Sequence, residues 1–219
     1  MGKRETHYPM AVKSKIRLDY ILSKGDIDKL INFTKTNKKH NAKVDGGAHD
    51  NNRKGRDDED IRKTYNYHFN FKVNDWRQEL NKKFKDYIGE DNLSVNQYDL
   101  LEYGKGCHFD VHTDSQGKEG VDINRSGRVW SSSTMVDCTD NLEGGDLIIY
   151  GPRFGNTTRT IRLEKGQTVF FPSNYFHKVT PVTKGRRTVL VTWLGVGENQ
   201  ISQRYAMERE LESGRLTIL

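Results

Sequence analysis

The punctuation of residues 93–194 restricts the fold more than any other feature. Short apolar or alternating runs at 93–103, 108–112, 128–137, 146–150, 160–163, 168–171, 178–182 and 188–194 are separated by turn residues. Glycines mark several of those turns, at Gly144-Gly145, Lys165-Gly166 and Lys184-Gly185. About eight strands at this spacing, with no helical period between them, predict an antiparallel sandwich or barrel.

The first 92 residues read differently. KIRLDYIL (15–22) alternates as a strand does. Ser23 then caps a helix to about Thr34, with Ile27, Leu30 and Ile31 as its inward stripe. Residues 35–63 are almost devoid of large apolar side chains and include Gly46-Gly47, which predicts a long mobile polar loop, a candidate lid. YNYHFNFKV (65–73) is the clearest strand: Tyr65, Tyr67, Phe69, Phe71 and Val73 share one side, while His68 falls on the polar side as an ordinary exposed histidine. A second helix runs from Asn74 to about Tyr87, where Trp76, Leu80, Phe84 and Tyr87 recur at core-packing spacing. A charged amphipathic helix spans 199 to about 212, and no internal repeat is visible. The expected organisation is one structural domain: a support region over 1–92, a β-barrel core over 93–196 and a C-terminal helix within 197–219.

Hydrophobic residues are 33% of the 219 and charged residues 30%, with a mean hydropathy of −0.87, so the core must be concentrated in part of the chain. The net charge of +6 admits nucleic acid as a partner, but acidic and basic residues are interspersed, as in NNRKGRDDEDIRK, and solvated loop charge is the preferred reading. No apolar run is long enough for a bilayer, and the start lacks a secretory stretch. Gly2 and Thr6 fit a myristoylation pattern, although a mobile basic start is the simpler reading. Two cysteines, Cys107 and Cys138, are too few for a disulfide framework and suit a reducing, cytoplasmic interior.

The chemistry concentrates in GCHFDVHTDS, which carries His-x-Asp twice, as His108-Phe-Asp110 and His112-Thr-Asp114. Residues two apart on a strand project to one side, so either pair can offer an imidazole and a carboxylate to one metal ion. His177 follows an apolar strand and a Pro-Ser-Asn turn, at the expected mouth of the barrel. Two histidines and a carboxylate occupy one face of octahedral Fe(II) and leave three positions for a bidentate cosubstrate and dioxygen. An anionic cosubstrate also needs a charge partner, and Arg186 or Arg187 supplies it. Arg187 has the parity of Val189, Val191 and Trp193; Arg186 has that of Thr188, Leu190 and Thr192. Parity leaves both arginines and both His-x-Asp pairs open.

The segment from Tyr103 to Asp114, the Gly144-Gly145-Asp-Leu turn, and His177-x-Val-x-Pro-Val-x-x-Gly-x-Arg187 followed by Trp193 resemble the Fe(II)/2-oxoglutarate-dependent dioxygenases, in their prolyl 4-hydroxylase-like branch. The resemblance covers about 93–194 and, more loosely, YILSKGDIDKLI near the start. It implies a mainly β fold with flanking helices, a double-stranded β-helix (jelly-roll, cupin-like) barrel supported by N-terminal helices and a C-terminal helix. In that family the His-x-Asp pair follows a Tyr-x-x-Gly segment by roughly ten residues; His112 lies nine after Tyr103 and His108 only five. The implied metal ligands are therefore His112, Asp114 and His177. Arg187, ten after His177, would hold the far carboxylate of 2-oxoglutarate with help from the Tyr103 hydroxyl. His108 and Asp110 are read as polar residues of the barrel rim.

What the resemblance implies for function is hydroxylation of a C–H bond, of a prolyl residue in a protein or peptide, with release of succinate and carbon dioxide. The cofactor set is Fe(II), 2-oxoglutarate and O2, with ascorbate as a candidate addition. Two features depart from the family: Arg187 stands where many prolyl 4-hydroxylases have lysine, and the loop from Ser115 to Arg128 is long and polar. Two alternatives remain. One is the same chemistry on a nucleic-acid base or free amino acid, against which the adjacency of Arg186 and Arg187 counts, since the base-repair branch places two arginines six apart. The other is a non-catalytic cupin-like metal-binding barrel, which would not need Arg187.

Overall fold

The structure, a computed structural model, describes residues 16–42, 61–67, 75–115, 127–151 and 159–196. Its elements in chain order are β1 (Arg17–Asp19), α1 (Lys24–Thr36), β2 (Lys39–Asn41), β3 (Arg62–Lys63), β4 (Tyr65–Tyr67), α2 (Asp75–Ile88), β5 (Leu93–Tyr103), β6 (His108–His112) and β7 (Arg128–Cys138). They continue with β8 (Glu143–Gly144), β9 (Leu147–Gly151), β10 (Arg159–Ile161), β11 (Thr168–Pro172), β12 (Phe176–Val179), β13 (Val182–Lys184) and β14 (Arg187–Val196).

Apolar doublets explain how these strands stack. Leu100-Leu101, Met135-Val136, Phe170-Phe171 and Val189-Leu190 send alternate side chains to opposite faces, so β5, β7, β11 and β14 are covered on both sides. Leu100, Val136, Phe170 and Leu190 pack outward against Leu30 of α1 and Leu80 and Phe84 of α2. Leu101, Met135, Phe171 and Val189 pack inward against Leu147, Ile149 and Val179 of a second sheet. The larger sheet runs β1-β11-β7-β14-β5-β4-β2 and the smaller one β10-β9-β12-β6-β3. Every strand pairing among the described residues is antiparallel. The two facing sheets make a double-stranded β-helix, with the helices on the outer face of the larger sheet.

Several expectations need correction. The strand expected at 178–182 is two strands, because Pro181 has no N–H to donate and the chain leaves the smaller sheet there. Val182–Lys184 then pairs with β8. The polar stretch 35–63 is not loop throughout: α1 continues to Thr36, β2 pairs with β4, and β3 pairs with β6. Edge strands of this kind are held by backbone hydrogen bonds, and their sequence carries no apolar alternation. The strand over 15–22 contracts to β1, and of 65–73 the described part, β4, is strand. The 43–60 part of the candidate lid, His68, the start at Gly2 and Thr6, and the C-terminal helix at 199–212 lie outside the described residues. No described helix is long and apolar enough to cross a membrane.

Ser23 caps α1 as the sequence indicates, in a capping box with Asp26: the Asp26 amide donates to Ser23 Oγ at 3.2 Å and the Ser23 amide donates to Asp26 Oδ2 at 2.8 Å. Asp26 also joins the two helices, accepting from Lys83 Nζ of α2 and from Trp76 Nε1 at 3.4 Å. Burial pushes its carboxyl up, but the bonds from Lys83, Ser23 and Trp76 outweigh burial and hold it at about 2. Because the folded value lies below the unfolded one, this stabilisation is complete above about pH 4 and is lost as pH falls toward 2. Asp26→Asn is expected to lower stability by about 2 kcal/mol at pH 7. Urea melts from pH 5 to 2 should show a flatter pH dependence in the variant than in the parent.

Candidate active site

The candidate site side chains meet where β6 and β12 pair. His112 lies opposite His177 and Phe109 opposite Val179, so two residues of β6 stand against one of β12. That extra residue is a β-bulge, and it breaks the period-two rule that made His108, Asp110 and His112 look equivalent. Phe109 and His112 consequently share the cavity face, their rings stacked with centroids 3.7 Å apart. His108 and Asp110 do not line the cavity. Asp110 is exposed, and His108 Nδ1 meets the Gly106 carbonyl at 3.1 Å.

Asp114 follows β6 and is tied to the turn between β11 and β12. The amides of Asp114 and Ser115 both donate to the Ser173 carbonyl, at 2.9 and 3.0 Å. Asp114 Oδ2 then stands 3.4 Å from His177 Nε2, and its Oδ1 stands 3.7 Å from His112 Nε2. One donor atom from each of the three residues lies within 4.8 Å of the others. Asp114 and His177 are buried, at 4% and 5% exposure.

The backbone fixes the tautomers. His112 Nδ1 donates to the Asp110 carbonyl at 2.7 Å and His177 Nδ1 to the Tyr175 carbonyl at 2.9 Å, which leaves both Nε2 lone pairs facing Asp114. Burial and the adjacent His177 push the His112 imidazole well below its ordinary range. Burial pushes Asp114 up, but His177, His112, Ser131 and Arg128 outweigh it and keep the carboxyl low. His112 Nε2 and the Asp114 carboxylate are thus free of protons at neutral pH, as metal binding by this group would require. Two imidazoles and one carboxylate on one side of a cavity form the donor set that suits Fe(II).

Arg187 closes the other end of the same cavity. It is 4% exposed, and its guanidinium lies 5.1 Å over the ring of Tyr103, its register partner across β5 and β14. The Gly145 carbonyl accepts from Nη1, whereas Nε has no hydrogen-bond partner and no carboxylate forms a salt bridge with the group among the described residues. Burial lowers its pKa. A buried cation with no salt-bridge partner among the described residues suits an anionic ligand in the pocket. Arg186, by contrast, is exposed and faces Asp137 and Glu102 on the outer side. Structure therefore resolves the parity question in favour of Arg187, whose row continues as Val189, Val191 and Trp193 along the cavity.

Gly145 explains the glycine pair before this row. Its φ is +68°, and a Cβ there would lie 2.9 Å from Val182 Cγ2 and 3.1 Å from Arg187 Cδ. Gly145→Ala is expected to displace Arg187 and weaken anion binding about tenfold, at a cost of 1–3 kcal/mol in stability. Titration with 2-oxoglutarate and a thermal melt on the same sample check both.

Sequence reasoning missed part of the wall. Gln97 and Asp99 of β5, Arg128 of β7, and Arg62 of β3 also line the cavity. Counting back by twos from Tyr103 would have found the first two. Arg128 starts a strand whose cavity face cannot be read from the run Ser131–Ser132–Ser133, and Arg62 sits in a stretch with no pattern.

The model of the 2OG-Fe(II) oxygenase superfamily matches residues 97–195, the span that holds all three donors and Arg187. Over that span the chain is similar to the superfamily. A PKHD-type hydroxylase of Idiomarina loihiensis is 32% identical over 101 residues, covering 46% of this chain and 42% of the relative. One from Bordetella pertussis is 40% identical over 106 residues, covering 47% and 44%. The chain thus spans less than half the length of these two members. Among solved structures, a Trichoplax adhaerens prolyl hydroxylase in complex with a hypoxia inducible factor peptide fragment superposes with a TM-score of 0.61 at 13% identity, over 86% of each chain. That likeness is one of fold alone.

Proposed function

We propose that the protein is an Fe(II)- and 2-oxoglutarate-dependent dioxygenase that hydroxylates a prolyl residue in a protein or peptide. The observation that carries this reading is the cavity with two imidazoles and a carboxylate at one end and, at the other, a buried guanidinium that has no salt bridge among the described residues. His112, Asp114 and His177 would hold the iron through Nε2, a carboxylate oxygen and Nε2. Arg187 would take the far carboxylate of 2-oxoglutarate as a fork, with Tyr103 beneath it. Iron bound there supplies activation of O2 coupled to decarboxylation of 2-oxoglutarate, giving succinate, carbon dioxide and a hydroxylated product.

The chain's own share is orientation and exclusion of water. The carbonyls of Asp110 and Tyr175 hold the two rings, the Ser173 carbonyl holds Asp114, and Leu101, Leu147, Phe171, Val179 and Val189 give the cavity an apolar wall. The prolyl substrate is supported by the similarity to PKHD-type hydroxylases and to a prolyl hydroxylase. Ascorbate is proposed as an addition that sustains turnover. Two free thiols, Cys107 and Cys138, support a cytoplasmic setting.

Mass spectrometry over a peptide and proteome library tests the whole reading. The expected product gains one oxygen atom, about 16 Da, on proline, and the gain disappears without O2 or without 2-oxoglutarate. A gain that persists without 2-oxoglutarate, or a confirmed absence of succinate, would overturn it.

A further inference from the structure

Asp99 is a carboxylate to which the iron and cosubstrate chemistry gives no task. It lines the cavity from β5, half-buried, and its only side-chain partner among the described residues is Gln97 Nε2 at 3.1 Å. Strand register locates it. Across β5 and β14 the cavity wall is built of four rows, Tyr103–Arg187, Leu101–Val189, Asp99–Val191 and Gln97–Trp193. Successive rows are about 6.8 Å apart, so Asp99 stands about 14 Å along the strand from Arg187. A five-carbon dicarboxylate anchored on Arg187 is shorter than that span and would be repelled by a second carboxylate. Asp99 therefore faces whatever enters beyond the cosubstrate.

The neighbouring groups at that end supply the complementary chemistry. Trp193 is 7% exposed and its Nε1 has no hydrogen-bond partner. The Arg128 guanidinium lies 4.2 Å over the Trp193 ring, donates to Gln97 Oε1 at 2.7 Å and reaches the Asp114 carbonyl at 3.4 Å, without forming a salt bridge to Asp99. The two outer rows thus present one acceptor, Asp99, beside a buried indole donor. A ligand matching them carries a nitrogen donor next to an oxygen acceptor, as a peptide amide or an amino-acid zwitterion does. A ligand without the nitrogen would shut the half-buried carboxylate off from water with Gln97 as its single side-chain donor among the described residues.

We propose that Asp99 is a specificity-determining residue of the primary-substrate subsite, accepting a hydrogen bond from an amide N–H or ammonium group beside the C–H bond to be oxidised. This rests on the oxygenase reading above, and the two fail separately. The experiment uses the full chain with Fe(II) and 2-oxoglutarate and measures succinate with and without two probe panels. One panel is free L-amino acids; the other is acetyl- and amide-blocked tripeptides with central proline. Stimulation is expressed relative to each variant's own rate without probe.

At least one panel is expected to stimulate the parent, and Asp99→Leu should cut that stimulation about tenfold or more, with a melting temperature near that of the parent. Asp99→Asn keeps an acceptor but no charge. It should retain most stimulation if the donor is an amide and lose it if the donor is an ammonium, which separates the two sources. Equal stimulation of the parent and Asp99→Leu would overturn the assignment, as would a parent that no member of either panel stimulates. Succinate formed by the parent without any probe reports on the oxygenase reading alone.

Discussion

His177→Ala is expected to lower the affinity for Fe(II), or for Mn(II) as a redox-silent stand-in, by about 100-fold or more, and to stop succinate formation. The imidazole is buried against Asp114, with Nδ1 committed to the Tyr175 carbonyl, and the rest of β12, Phe176, Lys178 and Val179, offers no imidazole or carboxylate to replace its Nε2. Losing it leaves a two-residue donor set, His112 and Asp114, on one edge of the cavity. Isothermal titration with Mn(II) measures the loss directly. His108→Ala is the informative control, because that ring meets the Gly106 carbonyl and does not line the cavity. It should bind metal within about twofold of the parent. A His177→Ala protein that binds Mn(II) and decarboxylates 2-oxoglutarate as the parent does would remove the basis for the ligand assignment.

Arg187→Ala should raise KM for 2-oxoglutarate about 30-fold or more, corresponding to roughly 2–5 kcal/mol for truncating one member of a buried charged contact. Arg187→Lys keeps the charge but loses the planar fork, so an intermediate KM is expected. Metal affinity should change little in either variant, since the guanidinium lies at the opposite end of the cavity from the donor set. Steady-state succinate assays over a range of 2-oxoglutarate, paired with Mn(II) titration, separate the two effects. An Arg187→Ala protein with the parent's KM would instead favour a metal-binding barrel with no cosubstrate site.

Much of the framework was legible because it rests on local signals. Leu93–Tyr103 and His108–His112 have the bounds that the apolar runs predict, and Ser23 caps α1 through its own side chain. The proposed donor set was legible only through the family's spacing, since strand parity could not choose between the two His-x-Asp pairs. The physical reason is the bulge in β6: an inserted residue leaves no mark in composition, yet it reverses which side chains face inward. Arg187 was narrowed to one of two by parity, and only burial decided. Strands β2, β3 and β8 were invisible because their partners are remote in sequence and their side chains carry no alternation. Asp99 shared its parity with Tyr103 but not its chemical character, and a carboxylate inside a predicted strand gives no sign of the cavity behind it.

The extra residue between Phe109 and His112 makes the strand a ratchet with one tooth out of step. Two chemically identical His-x-Asp pairs sit four residues apart, and what separates the proposed ligand pair from the other is a count against the opposing strand rather than any difference in the side chains themselves. Deleting one residue at 110–111 would therefore turn one pair relative to the other, so that both share a face, and the chain would be expected to tolerate almost any substitution in that dipeptide before it tolerated a change in its length.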